Sequence, residues 1–314
     1  MSVPKRARAR AGPGAPPRYP PVNRLLALAA SAAATATAQT STATAQTYFV
    51  APDGADTSGS CTANTASNAF PTIQDALACA VSGDTISLAP TGSTPYPGFG
   101  TVSQNITISA ASGATARTVA VDETTAALTV GAGATVKLTG VTLNGGSNPA
   151  APDVTNHGVL TLTRDSITGS PATGGIENSS AGASAARLTL NGTTVSGNVG
   201  GGNPDCSGHL ADGPGGHNLI GNIGTGTGTG ACSGLTNGVN GDQVSVPAGL
   251  LPLASNGGPT NTAALAAGSP AIGAAGATTC EQAPINDTDQ RGHSRNATTR
   301  GGCDIGAYDT GGAS

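Results

Sequence analysis

Two apolar positions separated by one polar residue, a third apolar position five residues on and a glycine two later recur three times along the middle of the chain. Val136-Lys137-Leu138 leads to Leu143 and Gly145, Leu160-Thr161-Leu162 to Ile167 and Gly169, and Leu188-Thr189-Leu190 to Val195 and Gly197. The copies start at 136, 160 and 188, offsets of 24 and 28 residues. Alternation at period two turns one face of a strand inward and the other outward. The outward positions include Lys137, Thr161 and Thr189. Glycine after each copy tolerates the left-handed backbone of a sharp turn. Repeats of this length that turn after every short strand predict a β-solenoid, each coil stacked on the last. Strand-like pieces at 85–88, 106–108 and 118–121 extend the series less regularly. At ordinary strand spacing, five or six coils make a rod roughly 25–30 Å long. A β-sandwich also uses short alternating strands, but the shared apolar-and-glycine template favours the solenoid. The uneven offsets leave room for loops at 146–154 and 171–183.

A solenoid has open ends, so its first coil needs a cover. Residues 70–83 suit that task. Thr72 and Asp75 form a capping-box-like start after Pro71, and Ile73, Leu77 and Val81 recur every four residues as one apolar face. Gly83 is the expected helix end, with the first strand at 85–88. The Gly/Thr alternation at 224–230 reads as a flexible loop.

Composition agrees with strands and turns. Of 314 residues 48 are Gly, there is no Trp, and charged residues make up 10%, about half the usual share. Few Lys and Glu disfavour long helices. Gly and Pro exceed a fifth of the chain, a composition shared with disordered tracts, but the even spacing of the apolar clusters opposes disorder. Six basic residues and no acid precede Asp53, which leaves the body after residue 45 with seven basic and 17 acidic groups. Its net charge of −10 makes nucleic acid an unsuitable partner, and polyanions likewise unless a metal bridges the two.

Arg18 and Arg24 flank a short apolar stretch at 25–34, followed by Ala36-Thr37-Ala38 and Ala43-Thr44-Ala45, each before a Gln. This reads as a secretory signal peptide, with a core too short to span a bilayer. The long Pro/Arg-rich leader suggests initiation at Val22. In an oxidising compartment the six cysteines, Cys61, Cys79, Cys206, Cys232, Cys280 and Cys303, become disulfide candidates. Six cysteines allow 15 pairings, and order along the chain favours neighbours. No C-x-x-C or clustered His/Cys spacing suggests a metal.

The C-terminal third carries Ser255-Asn256-Gly257-Gly258-Pro259-Thr260, then Gly268-Ser269-Pro270-Ala271-Ile272, Asp289-Gln290-Arg291-Gly292 and Cys303-Asp304-Ile305-Gly306-Ala307-Tyr308. In this order the pieces resemble the end of bacterial choice-of-anchor Q domain proteins. Asn218-Leu219-Ile220-Gly221-Asn222, residues 237–244 and Ser82-Gly83-Asp84-Thr85-Ile86 resemble the same family. The resemblance covers roughly residues 203–314 well and the earlier coils more loosely. It implies an exported, cell-surface right-handed parallel β-helix of pectin-lyase-like shape. Family members commonly carry a variable anchoring signal afterwards; this chain stops at Gly311-Gly312-Ala313-Ser314, so free secretion or non-covalent retention is expected. Asp289, Arg291 and Asp304 are expected as internal ion-pair partners.

Candidate chemistry is sparse. A glycosidase needs two carboxylates facing one bond, and a polyuronate lyase a base, usually with Ca²⁺ held by acids. The acids of the repeat zone, Asp122, Glu123, Asp153, Asp165 and Glu177, fall at different phases of the template. Asp165 beside Arg164 reads as a solvated turn pair. His157, His209, His217 and His293 are scattered, Asp287-Thr288-Asp289 falls far short of a Ca²⁺ loop, and residues 200–202 lack the Lys-Ser/Thr of a phosphate loop. The expected organisation is a leader at 1–45, an N-terminal cap at 46–83, parallel β-helix coils at 84–235 and a disulfide-braced C-terminal cover at 236–314. The expected role is an envelope-associated binding or adhesion module without catalytic residues, cofactor or metal, and with polysaccharide or envelope components as partners. A polysaccharide lyase or glycoside hydrolase with a groove across the coils is the alternative, and a structural spacer the third reading.

Overall fold

The computed structural model describes residues 44–52, 54, 59–89, 95–110, 118–120, 126–145, 151–171, 173–179, 185–200, 202, 204–208, 215–224, 232–277, 280, 288–295 and 302–311. The leader through residue 43, Asp122, Glu123, His209, Gly201, the loop at 225–230 and Asp287 lie outside them. Among the described residues there is no helix long and apolar enough to cross a membrane.

The body is an all-β parallel solenoid. Strand β1 (Thr47–Val50) and helix α1 (Ile73–Cys79) come first, then β2 (Thr85–Leu88) and β3 (Gly100–Val102). Four complete three-strand turns follow. They are β4 (Ile106–Ala110), β5 (Thr118–Ala120) and β6 (Leu128–Val130); β7 (Thr135–Thr139), β8 (Thr142–Asn144) and β9 (Val154–Asn156); β10 (Val159–Thr163), β11 (Ser166–Thr168) and β12 (Ile176–Asn178); and β13 (Arg187–Asn191), β14 (Thr194–Val195) and β15 (Cys206–Gly208). Strands β16 (Leu219–Ile220) and β17 (Gln243–Val244) end the series. Like strands of successive turns pair into three sheets: β1-β2-β4-β7-β10-β13, β5-β8-β11-β14-β16-β17 and β3-β6-β9-β12-β15. Every ladder between named strands is parallel, which a β-sandwich would not give. Five or six coils were expected; four are complete, and the partial turns at each end bring the first and second sheets to six strands.

The register is the sequence template. Val136, Leu160 and Leu188 pair across β7, β10 and β13, as do Leu138, Leu162 and Leu190. Leu143, Ile167 and Val195 pair across the second sheet. All of these side chains are buried, each worth roughly 1.5–3 kcal/mol relative to exposure. The third sheet adds Leu128, Val154 and Ile176, so one core runs through the coils.

Helix α1 closes the first coil. Thr72 Oγ1 accepts from the Asp75 amide and donates to the Asp75 carboxylate, fixing the helix start. Ile73 and Leu77 are buried against the coil, and Phe70 stacks near Tyr48 with ring centroids 6.3 Å apart. The helix stops at Cys79 with Ala80 as its C-cap, so the expected extension to Gly83 does not form and Val81 is 55% exposed.

The corner between the first and second sheets repeats one turn. Gly140, Arg164, Gly192, His217 and Gly241 stack there, all with positive φ, between +54° and +76°. The next residue of each turn builds a polar ladder. Val141 N donates to Asp165 Oδ1 at 2.8 Å, Thr193 N to Asn218 Oδ1 at 3.0 Å, and Asn218 N to Asp242 Oδ1 at 2.9 Å. Each of these side chains therefore satisfies a buried amide of the neighbouring turn. Arg164 and His217 tolerate a conformation that favours glycine.

The C-terminal segment does not sit on the core alone. It lies against the outward face of the second sheet. Thr142 Oγ1 donates to Gln290 Oε1 at 2.5 Å, Ala307 N donates to Ser166 Oγ at 3.0 Å, and Thr194 Oγ1 donates to Ile305 O at 3.2 Å. Leu219 joins Ala248, Leu265, Ala271 and Ile305 in a second apolar cluster. A Cβ at Gly306 would come within 2.8 Å of Thr194 Oγ1 and 2.9 Å of Ser166 Oγ, so only glycine allows this approach. Arg291 pairs with Asp289 at 2.7 Å and lies 4.0 Å from the Tyr308 ring centroid. Asp304 takes a different part: it accepts from Gly273 N and from both the amide and hydroxyl of Thr310. Arg295 spreads its guanidinium over the carbonyls of Thr288, Asp304, Gly306 and Ala307.

Candidate functional site

Among the described residues, Asp153, Asp165 and Asp205 of the coils are buried. Asp165 is wholly buried at the corner turn, where Val141 N and Thr163 N each donate to it at 2.8 Å. The Arg164–Asp165 turn, expected from the sequence to be solvated, is buried, and the Asp165 carboxyl turns inward to hold the backbone of its own turn and of the one before. Burial pushes the Asp165 carboxyl up to about 8, against the backbone donors of Val141, Thr163 and Gly140. Asp153 stands where the chain enters β9, and burial pushes it up to about 8 as well. Its Oδ2 has no hydrogen-bond partner among the described residues. Asp205 holds the corresponding place before β15, where it accepts from Asn198 and Asn222, and burial raises its carboxyl. Glu177 is exposed, pointing outward from β12. Among the described residues, the only acids not buried are Glu177 on the third sheet and Asp75 on α1, which are on separate elements and face no common bond. No group of three or more His, Cys, Asp or Glu is placed to hold a metal among them.

Three disulfides brace the solenoid and join neighbours in chain order. Cys61–Cys79 ties α1 to the loop before it, Cys206–Cys232 ties β15 to the following loop, and Cys280–Cys303 lies within the C-terminal segment. There are no free cysteines among the described residues.

The outward faces of the three sheets differ in how far they are covered. The second sheet's outward column, Thr142–Ser166–Thr194, is buried under the C-terminal segment. The outward face of the first sheet carries two columns in register. Thr47, Thr85, Thr107, Lys137, Thr161 and Thr189 form one. Phe49, Ser87, Ser109, Thr139, Thr163 and Asn191 form the other. Alternate residues on these strands are in the core, so these side chains face outward. Most are half-exposed or exposed, and only Ser87 and Thr139 are shielded. Asn191 Nδ2 reaches Thr163 Oγ1 at 3.4 Å, along the second column. Outward side chains, hydroxyls except at Lys137, Phe49 and Asn191, therefore repeat about every 4.8 Å along the axis and about 6.7 Å across it. A third column at the margin runs Thr135, Val159 and Arg187.

The outward face of the third sheet is a single column of Thr101, Thr129, Thr155, Glu177 and Ser207. The threonine columns were partly legible in sequence, through Thr161 and Thr189. The earlier members were not, because the spacing between 85, 107 and 137 is uneven. Comparison with family models, with curated proteins and with solved structures finds no match.

Proposed function

We propose that this protein is an exported, non-catalytic β-solenoid that binds glycans at the cell envelope through the outward face of the first sheet. The observation that carries this reading is the pair of hydroxyl and amide columns in register across six strands. Threonine and serine hydroxyls donate and accept, as do sugar hydroxyls. Their axial pitch is comparable to the length of one pyranose unit, so a chain lying along the axis meets the same chemistry at each residue. Six strands give a track about 24 Å long. Phe49, half-exposed at one end of the second column, offers a ring for the apolar side of a sugar.

The leader-like start, the three disulfides and the resemblance to choice-of-anchor Q proteins support export and residence at the cell surface. The buried roles of Asp153 and Asp165 support binding over cleavage. The test is incubation of the mature protein, with and without Ca²⁺, against a panel of plant, algal and bacterial polysaccharides. Retention of the protein without new reducing ends is expected. New reducing ends from any member would replace this reading with an enzymatic one, and no retention anywhere would leave the spacer role.

A further inference from the structure

We propose that the first-sheet face selects acidic glycans, polyhydroxyl chains bearing carboxylate or sulfate groups, and that Lys137 and Arg187 make the selection. This rests on the glycan-binding reading above and adds the ligand's charge. The whole-chain balance argues the opposite, since the body carries 17 acids against seven cations. The structure shows how those charges are distributed. Among the described residues the basic side chains are Lys137, Arg164, Arg187, Arg291 and Arg295. Arg164, Arg291 and Arg295 are buried. Lys137 and Arg187 are the two exposed ones, and both point outward from the first sheet.

No acid occupies any outward position of that sheet from β1 to β13. Asp84, just before β2, is buried and accepts from the amides of Gln46 and Val81. Among the described residues, the exposed acid of the coils, Glu177, belongs to the third sheet. Among the described residues, the exposed charges of the coils are thus segregated by face: cations among hydroxyls on the first sheet, an acid on the third.

Register fixes the separation of the two cations. Lys137 pairs with Thr161 and Thr161 with Thr189, so Lys137 lies two strand spacings from β13, and Arg187 is offset by two residues along that strand. The offset corresponds to about 9.6 Å along the axis and about 6.7 Å across it at the Cα positions. Long side chains at that separation reach anionic groups on sugars a few units apart, while Thr161 and Thr189 read the hydroxyls between and Thr107 those just beyond Lys137. A neutral chain would leave both cations solvated and gain nothing from them. The shared chemistry is an anion on a sugar ring. Carboxylate and sulfate are its two sources, and the guanidinium fork of Arg187 suits either.

The test uses the mature protein retained on beads carrying a neutral glucan, a polyuronate or a sulfated galactan, at low and at high salt, beside the double variant Lys137→Gln/Arg187→Gln. Binding to one or both acidic glycans is expected, with the two acidic arms telling carboxylate from sulfate. It should weaken with salt and fall about tenfold in the double variant. The variant's melting curve should match the parent's, since both side chains are exposed. Equal retention on neutral and acidic glycans, or acidic binding unchanged in the double variant, would overturn the selection while leaving the glycan reading in place. Retention on none of the three would overturn both. Displacement by duplex DNA as readily as by free acidic glycan would also overturn it, because phosphate charge alone would then suffice.

Discussion

Replacing Arg291 by Ala should destabilise the C-terminal segment by about 3 kcal/mol. The side chain is buried. Its Nε and Nη2 engage Asp289 Oδ2 at 2.8 and 2.7 Å, Nη1 donates to Asn256 O at 3.0 Å, and Nη2 donates to Asp309 O at 2.5 Å. Removing one partner of a buried ion pair typically costs about 3–5 kcal/mol, because the other charge stays behind. Asp289 keeps three backbone donors, from Arg291, His293 and Asp309. They still stabilise its carboxylate, which places the loss toward the lower end of that range. The two carbonyls lose their donors, and the cation no longer lies over Tyr308. These losses overlap and do not add. For a body of this size, about 3 kcal/mol corresponds to a melting shift of roughly 6–12 °C. Arg291→Lys keeps the charge but not the fork, so it should fall between parent and Ala variant. Differential scanning calorimetry of the three proteins measures this. If the C-terminal segment melts apart from the coils, the lower transition carries the shift. A melting curve for Arg291→Ala within about 1 °C of the parent would refute the reasoning, since it would mean that the buried pair contributes nothing.

Asn218→Ala removes the acceptor for the Thr193 amide and the donor to Leu190 O; the denaturant midpoint should fall by the equivalent of about 2–4 kcal/mol. Gly258→Ala should cost about 2 kcal/mol or more, read as a lowered melting temperature, because φ is +115° and the new Cβ would lie 2.8 Å from Arg291 Cβ. Stability should fall as pH rises from 5 to 8. Folded Asp153 and Asp165 keep their protons up to about 8, whereas the unfolded chain releases them near 4, so the folded state holds the extra protons across that window. The slope is up to about 1.4 kcal/mol per pH unit for each group. Asp153→Asn should flatten it, and a melting temperature that rises with pH would contradict the assignment.

The fold was legible where the template is complete. Positions 136, 160 and 188 align in sequence and pair in space, because two inward residues and a following glycine are what each coil needs. The last strands were harder to read. Strands β16 and β17 are two residues each, too short to show alternation, and the turn ladder continues through Asn218 and Asp242 rather than through apolar residues. Arg164–Asp165 was misread because charge in a turn is ordinarily solvated. Here an aspartate replaces a missing backbone partner inside the corner, a role that depends on the adjacent coil and leaves no local signal. Val81 kept the helical period but lay past a helix that ends at Cys79. The proposed binding face was only half visible: single outward threonines could be read, but their alignment into columns and the gathering on one sheet of the exposed cations among the described residues depend on register across unequal loops.

The most direct measurement is retention of the triple variant Thr107→Val/Thr161→Val/Thr189→Val on whichever polysaccharide holds the parent. Valine keeps the branched shape and strand preference while removing the hydroxyl. The account predicts an unchanged fold and melting curve with retention lost. Retention equal to the parent's would contradict it and move the recognition surface away from the first sheet.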